Sequence, residues 1–462
     1  MFKRISVLGV LLGLLFLLVA CQAAESNSEN TADSVADSAA DESVASNVES
    51  TAVTPTESVA EPAAVTFSVF GDDAEYQAYV SLVEAFHAAH PEVAVELQHI
   101  PGQSEYRQRL ATAFSAGEPP DVMLLNYRRF GAFVAEGGLA PLSEYLAASD
   151  VIAEADFYPE VTESFYLDGQ LWCIPQNLSS LVIYYNKNLF DAAGVAYPAN
   201  DWTHEDFLAA ARALTQDADG DGTIDQYGVG IEASIFRLAP FIWQFGGELV
   251  DNEAQPTRLT LDSPEALAAF QWFVDLQVEE HVVPDAVAES AQDSESRFLN
   301  GTLAMYFNSR RGVPTYRTIT GFEWDVAPLP QGEQAAGILH SDGYCMAENT
   351  ANKDAAWTFI EYANSVEGQT IVAQSGRTVP SLIAVAESPA FLSPDLPPAN
   401  GRIFLDTIPQ IRRVPIMTTW VSIEETAGQE IERAFYGQVG VEEAAATAVT
   451  LTQPFFDEAN TP

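Results

Sequence analysis

A chain of 462 residues is too long for one hydrophobic core, and two packed units are expected. Its formal net charge is −46, from 66 Asp and Glu against 20 Lys and Arg. So acidic a surface repels nucleic acid and anionic lipid, which excludes both as partners.

At the N-terminus, Lys3 and Arg4 precede an apolar run from Ile5 to Ala20 that ends in Leu18-Val19-Ala20-Cys21. The run is short for a membrane span of roughly 20 residues and reads instead as a signal segment. Its end resembles a bacterial lipobox, so residues 1–21 are taken as a lipoprotein signal peptide and Cys21 as the lipidated, membrane-anchoring residue. That places the protein outside the cytoplasm. Residues 22–62 contain nine acids, no Lys or Arg and no aromatic residue. Such a segment buries too little to offset its ordering entropy and is expected to be a disordered acidic tether, with a reach on the order of 35 Å. With Cys21 committed to lipid, Cys173 and Cys345 are either two buried thiols or one disulfide.

Beyond the tether, Val65 to Phe70 reads as a buried strand. Glu75 to Ala89 follows with Tyr76, Tyr79, Val83 and Phe86 at helical spacing and stops before Pro91. Val93, Val95 and Leu97 alternate as in a strand, a helix spans about Tyr106 to Phe114, and Pro120 to Leu125 is another buried strand. Strands alternating with helices of this length imply a parallel sheet. Leu181 to Tyr185 (strand), Leu189 to Ala193 (helix) and a helix capped by Thr203 and running through Leu214 continue the rhythm. Pro264 to Val278 and Asp354 to Ala363 are amphipathic helices, and Pro394 to Pro398 marks a loop. Trp202 and Trp357 are assigned to helix packing and Trp272 to a core helix face.

Between the capped helix and the next strand lies DADGDGTIDQYG, residues 217–228. Asp217, Asp219 and Asp221 hold the first, third and fifth places of a calcium loop, Gly222 the sixth and Asp225 the ninth. Gly228 stands where the bidentate glutamate belongs. The loop is therefore a candidate structural calcium site, with a carbonyl from Thr223, and not a sensor. No other motif asks for a cofactor.

Several segments together carry a resemblance: AFHAAHPEVAVEL, GEPPDVMLLNYRRFGAFVAEGGLAPL, DGQLWCIP followed by LVIYYNK, DWTHEDFLAAARALT, FIWQFGGELV, FLNGTLAMYFNSRRG and NKDAAWTFIEY. In order and spacing the chain resembles, over about residues 65–455, the extracellular solute-binding proteins of carbohydrate ABC importers, the maltose-binding-protein-like family. The resemblance implies an α/β, two-lobed periplasmic-binding-protein-like (type II) fold with discontinuous lobes and an interlobe hinge. Residues 63–174 plus 345–377 would form the first lobe and 178–341 plus 380–462 the second. Crossings are expected near Ile174 to Ser179, Ser341 to Ala347 and Arg377 to Ser381. Cys173 and Cys345 fall on hinge strands that run side by side in the family, which makes a disulfide between them plausible.

The same resemblance implies a ligand site in the cleft. Asn126, Tyr127, Arg128 and Arg129 follow a buried strand at the family's contact loop, and Asp72 follows the first strand at another. Asn177 and Ser179 offer polar groups at the hinge. Phe236 and Trp243 lie where the family stacks sugars, though they also suit a core. Asn308, Arg310 and Arg311 stand where relatives often place a tryptophan; arginines there could bond hydroxyls or grip an anion. Asp342 and Trp420 complete the set. The implied function is a monomeric, membrane-anchored, non-enzymatic binding protein that delivers a sugar to the transmembrane subunits of an ABC permease. The alternatives are a secreted carbohydrate-active hydrolase and a binding protein for an anionic small molecule such as a sugar phosphate. No G-x-S-x-G, H-E-x-x-H or C-x-x-C occurs.

Overall fold

The computed structural model describes residues 63–461. The signal segment, Cys21 and the tether lie outside the described residues. No helix of the described residues is long and apolar enough to cross a membrane.

Two sheets that share no strand organise this part of the chain. The first has the order Val93–Ile100, Ala63–Phe70, Val122–Asn126, Asp342–Met346, Cys173–Pro175. Its first three strands are parallel, with Val65 opposite Val95 and Phe67 opposite Val122. Asp342–Met346 runs antiparallel to both of its neighbours. Helix Asp73–Ala89 begins two residues earlier than its apolar spacing suggests, because the Asp72 carboxylate accepts the Glu75 N–H at 3.0 Å and caps the first turn. Its buried face, Tyr79, Leu82, Val83 and Phe86, covers the sheet. Phe67 contacts the rings of Tyr79, Tyr344 and Phe359 at centroid distances of 5.7, 5.7 and 4.8 Å, which locks the late strand Asp342–Met346 and helix Lys353–Ala363 onto the early part of the chain.

The second sheet has the order Trp324–Ala327, Val182–Asn186, Leu303–Asn308, Tyr227–Gly230, and only its last pair is parallel. Helix His204–Leu214 starts in a capping box between Thr203 and Asp206. Ile235–Gln244, Pro264–Val278, Trp420–Phe435 and Val441–Ala459 pack among themselves on this lobe. Trp202, Trp272 and Trp357 all pack against the core.

Three segments join the lobes and hydrogen-bond side by side. The Gln176 N–H donates to the Asp342 carbonyl at 2.9 Å and the Leu178 N–H to that of Val379 at 3.0 Å, while Ser179 and His340 exchange two bonds of 2.8 Å. Strand Asp342–Met346 belongs to the first sheet from its first residue, three positions before the expected start of that part of the lobe. Another boundary also shifts. Helices Ile383–Ala386 and Pro389–Leu392 pack on Val366–Ala373, a first-lobe helix, so the chain does not pass wholly into the second lobe at residue 380.

Cys345 lies opposite Cys173 in the antiparallel ladder, and the two sulfurs are bonded, with Cα atoms 4.3 Å apart and 172 residues between them in sequence. This pairing staples the first crossing to the second just inside the first lobe.

Candidate functional site

A cavity of 340 Å³ opens where the carboxyl ends of the first-lobe strands face the second lobe across the hinge. Ligands of open α/β sheets collect at this edge, because the loops there are free to present side chains. The first lobe contributes Phe70, Glu75, Arg107, Asn126, Arg128 and Arg129. The hinge segments bring Asn177, Ser179, His340, Asp342 and Arg377, and the second lobe Glu232, Ser234, Phe236, Arg237, Arg311 and Glu424.

Arg128 organises the middle of the wall. Its Nε donates to Asn126 Oδ1 at 3.0 Å, its Nη1 lies 2.5 Å from each Glu424 oxygen, and its guanidinium sits 4.1 Å from the Phe236 ring centre. Asn126 Nδ2 in turn donates to Asp342 Oδ1 at 3.1 Å, and Asn177 Oδ1 accepts the Asp342 N–H. Burial pushes the Asp342 carboxyl up from its ordinary value, against the pull of the Asn126 bond and of Arg128.

Glu75 and Arg377 form a second cluster. Burial raises the Glu75 carboxyl to about 7, opposed by Arg377 and reinforced by Asp342 and Asp72. Arg377 pairs with Asp72, and its Nε lies 2.7 Å from Glu75 Oε2, though off the N–H line, so that oxygen has no hydrogen bond. Gly71 makes this burial feasible: it has φ +134°, and a Cβ there would lie 1.9 Å from Glu75 Oε2. Three further buried atoms without a partner belong to cavity residues, namely Arg237 Nε, His340 Nε2 and Ser234 Oγ. Burial holds His340 well below the ordinary histidine range, helped by Arg237, Arg128 and Arg311, so its ring is neutral.

Eight residues singled out from sequence line this cavity: Asn126, Arg128, Arg129, Asn177, Ser179, Phe236, Arg311 and Asp342. Six others lie elsewhere. Asp72 caps its helix and borders a neighbouring recess with Arg311 and Arg377. Tyr127 is buried, its hydroxyl accepting the Val414 N–H at 3.3 Å. Trp243 is a core residue under the Arg412 guanidinium, and Trp420 is buried in its helix. Asn308 donates to the Tyr316 hydroxyl at 2.7 Å. Arg310 is 1% exposed and donates to the carbonyls of Gly376 and Phe391, so it fastens the third crossing and does not face the cleft. Sequence reasoning missed Glu75, Arg107, Glu232, Arg237, His340, Arg377 and Glu424. Of these, Arg377 opened the expected third crossing, while Arg237, beside Phe236, and His340, beside the second crossing, stood next to segments already singled out.

In the acidic loop, ligand atoms of Asp217, Asp219 and Asp225 lie within 4.8 Å of one another. Asp221 is outside that group, and its carboxylate accepts the Thr223 N–H at 2.7 Å. The Asp217 oxygens accept the Gly220 and Gly222 N–H groups, and Asp225 accepts that of Ala218.

The family described as bacterial extracellular solute-binding protein matches residues 71–370. This chain belongs to that family. The solute-binding protein is 23% identical over 381 residues to a putative binding protein of Brucella abortus, covering 79% of this chain and 87% of that one. It is 24% identical over 294 residues to the maltotriose-binding protein of Pyrococcus abyssi, covering 62% and 59%. Its fold matches that of an ABC substrate-binding protein from Listeria monocytogenes in complex with cycloalternan, with a TM-score of 0.78, 24% identity and coverage of 86% and 99%. The fold is thus the two-lobed type II binding-protein fold, and the family is one of binding proteins.

Proposed function

We propose that this solute-binding protein captures a small sugar-class solute between its lobes and presents it to the transmembrane subunits of an ABC importer. The observation that carries the reading is the shared wall: residues of both lobes and all three hinge segments meet on one cavity, so a solute held there favours lobe closure. The names of the relatives, one binding maltotriose and one seen with cycloalternan, support a saccharide. A cavity of 340 Å³ lies at the small end of ligand pockets, which span about 300–1,000 Å³, and suits one or two sugar units.

We place the protein outside the cytoplasm, a monomer held to the membrane by lipid on Cys21. Fatty-acid labelling that persists after Cys21→Ser would contradict that anchor. Calcium at Asp217, Asp219 and Asp225 would brace a surface turn and take no part in capture; titration calorimetry with calcium, giving no heat, would remove it.

A thermal-shift screen against saccharides tests the main reading. A cognate solute at 100 times its Kd stabilises the folded chain by roughly 2.7 kcal/mol. The same solutes must be recovered intact, because new reducing ends after incubation would favour a hydrolase.

A further inference from the structure

Six arginines line the cavity, Arg107, Arg128, Arg129, Arg237, Arg311 and Arg377, out of only 20 Lys and Arg in a chain of net charge −46. Facing them are four carboxylates, Glu75, Glu232, Asp342 and Glu424. Arg128 is matched by Glu424, Arg377 by Asp72 and Glu75, and Arg237 by Glu232 at 3.3 Å. Arg107, Arg129 and Arg311 have no carboxylate partner among the described residues. In a protein so rich in acids, three guanidiniums left without a carboxylate in one cleft are informative.

The wall also bears signs of uncompensated positive charge. Burial and the neighbouring Arg107 and Arg128 depress Arg129 to about 10, a fall that Glu424 and Glu425 oppose but do not cancel. Arg237 Nε is buried without an acceptor. The N-terminus of helix Ile235–Gln244 opens on the same wall, and its cap residue Ser234 makes no side-chain cap bond and leaves a buried hydroxyl unpartnered. Such a terminus carries partial positive charge. A neutral sugar, by contrast, finds little apolar face. The aromatic rings on the wall are Phe70 and Phe236, both nearly buried, and the guanidinium of Arg128 covers Phe236. Arg107 and Arg129 are half-buried and Arg311 is exposed, so water solvates them in the open cleft; closing the lobes over them without a counter-charge would be costly.

We infer that the solute held in this cleft is anionic, a sugar or polyol bearing a carboxylate or phosphate group, with Arg107 and Arg129 of the first lobe and Arg311 of the second supplying its guanidinium contacts. The inference rests on the proposed capture of a sugar-class solute and narrows it to a charge class. Guanidinium forks match both oxyanions bidentately, and contacts from both lobes make the anion itself the element that draws them together.

The test compares matched pairs by titration calorimetry on the folded chain: galacturonate and its dimer against galactose and its dimer, glucose 6-phosphate against glucose, and inorganic phosphate alone. The expected result is that an acidic member binds at least tenfold tighter than its neutral counterpart, with the uronate and phosphate arms telling which acid is recognised. Arg129→Gln and Arg311→Gln should each weaken the acidic member tenfold or more and change the neutral one less than threefold. A neutral sugar bound as tightly as its acid overturns the inference and leaves sugar capture standing; the wild-type comparison alone decides this if a variant fails to fold. Binding of inorganic phosphate with no saccharide bound overturns the sugar-class reading, and binding of nothing in the set overturns both.

Discussion

Arg128, just beyond a first-lobe strand, and Glu424, on a second-lobe helix, meet across the cleft, with Arg128 Nη1 2.5 Å from both carboxylate oxygens. Their side chains are only 15% and 19% exposed, so solvent weakens the pair little. A hydrogen bond to a charged group contributes about 1.5–3 kcal/mol, and here it joins two bodies and not two strands of one sheet. Glu424→Gln should therefore lengthen the distance between lobes, seen by X-ray scattering, and lower the melting midpoint by a few degrees at most. A lowered midpoint at constant lobe separation would contradict this.

Adjacent arginines should behave in opposite ways. Arg310 stacks on Phe391 and Phe404 at 4.6 and 5.0 Å and bonds two carbonyls, so Arg310→Ala should cost about 2–4 kcal/mol in urea unfolding. Arg311 is exposed at the cavity, and Arg311→Ala should stay within about 0.5 kcal/mol. Equal losses would refute the division of roles.

The Cys173–Cys345 bond closes a long loop, 172 residues in sequence. In the chain-entropy model that constraint contributes about 5 kcal/mol, and measured losses run from about 2 to 5. A Cys173→Ser, Cys345→Ser double variant should unfold at lower urea than the wild type and be insensitive to reductant. A wild type equally insensitive to reductant under unfolding conditions would exclude the bond.

Glu75 gives a pH signature with a definite sign. Its folded-state value, about 7, lies above the ordinary carboxylate value of 4.5, so the folded state holds its proton longer than the unfolded one. Stability from this group is full below pH 4.5 and falls as pH rises towards 7, by up to about 3 kcal/mol. Asp342 and Asp72 push the same way, and Arg377 and Arg311 oppose them. Relative to Glu75→Gln, the wild type should lose stability across that window in urea titrations. Parallel curves for the two proteins would disprove the shift.

Local signals carried much of the fold. Tyr79, Val83 and Phe86 marked one helix face, and Thr203 marked a helix start, because both depend on neighbours in sequence. The Asn126–Arg129 run stood out because polar groups crowd the end of a buried strand, and three of its four residues reach the cavity. Arg310 and Arg311 show the limit: sequence places them side by side, but the turn after Leu303–Asn308 sends one into the protein and the other into the cleft. Glu424 is 296 residues from Arg128, and no local pattern announces a partner so remote. Trp243 was a candidate because rings often stack on sugars and Trp420 because of its place in the chain, but large aromatics bury more area in a core, and both are buried there.

Spin labels at Thr112→Cys on the first lobe and Thr450→Cys on the second, both exposed positions, would report the distance between lobes while the solute giving the largest thermal shift is titrated. Capture between lobes predicts a shorter distance that saturates at one solute per chain, with the solute recovered unchanged. A distance that stays fixed at saturation, or a cleaved solute, would contradict it.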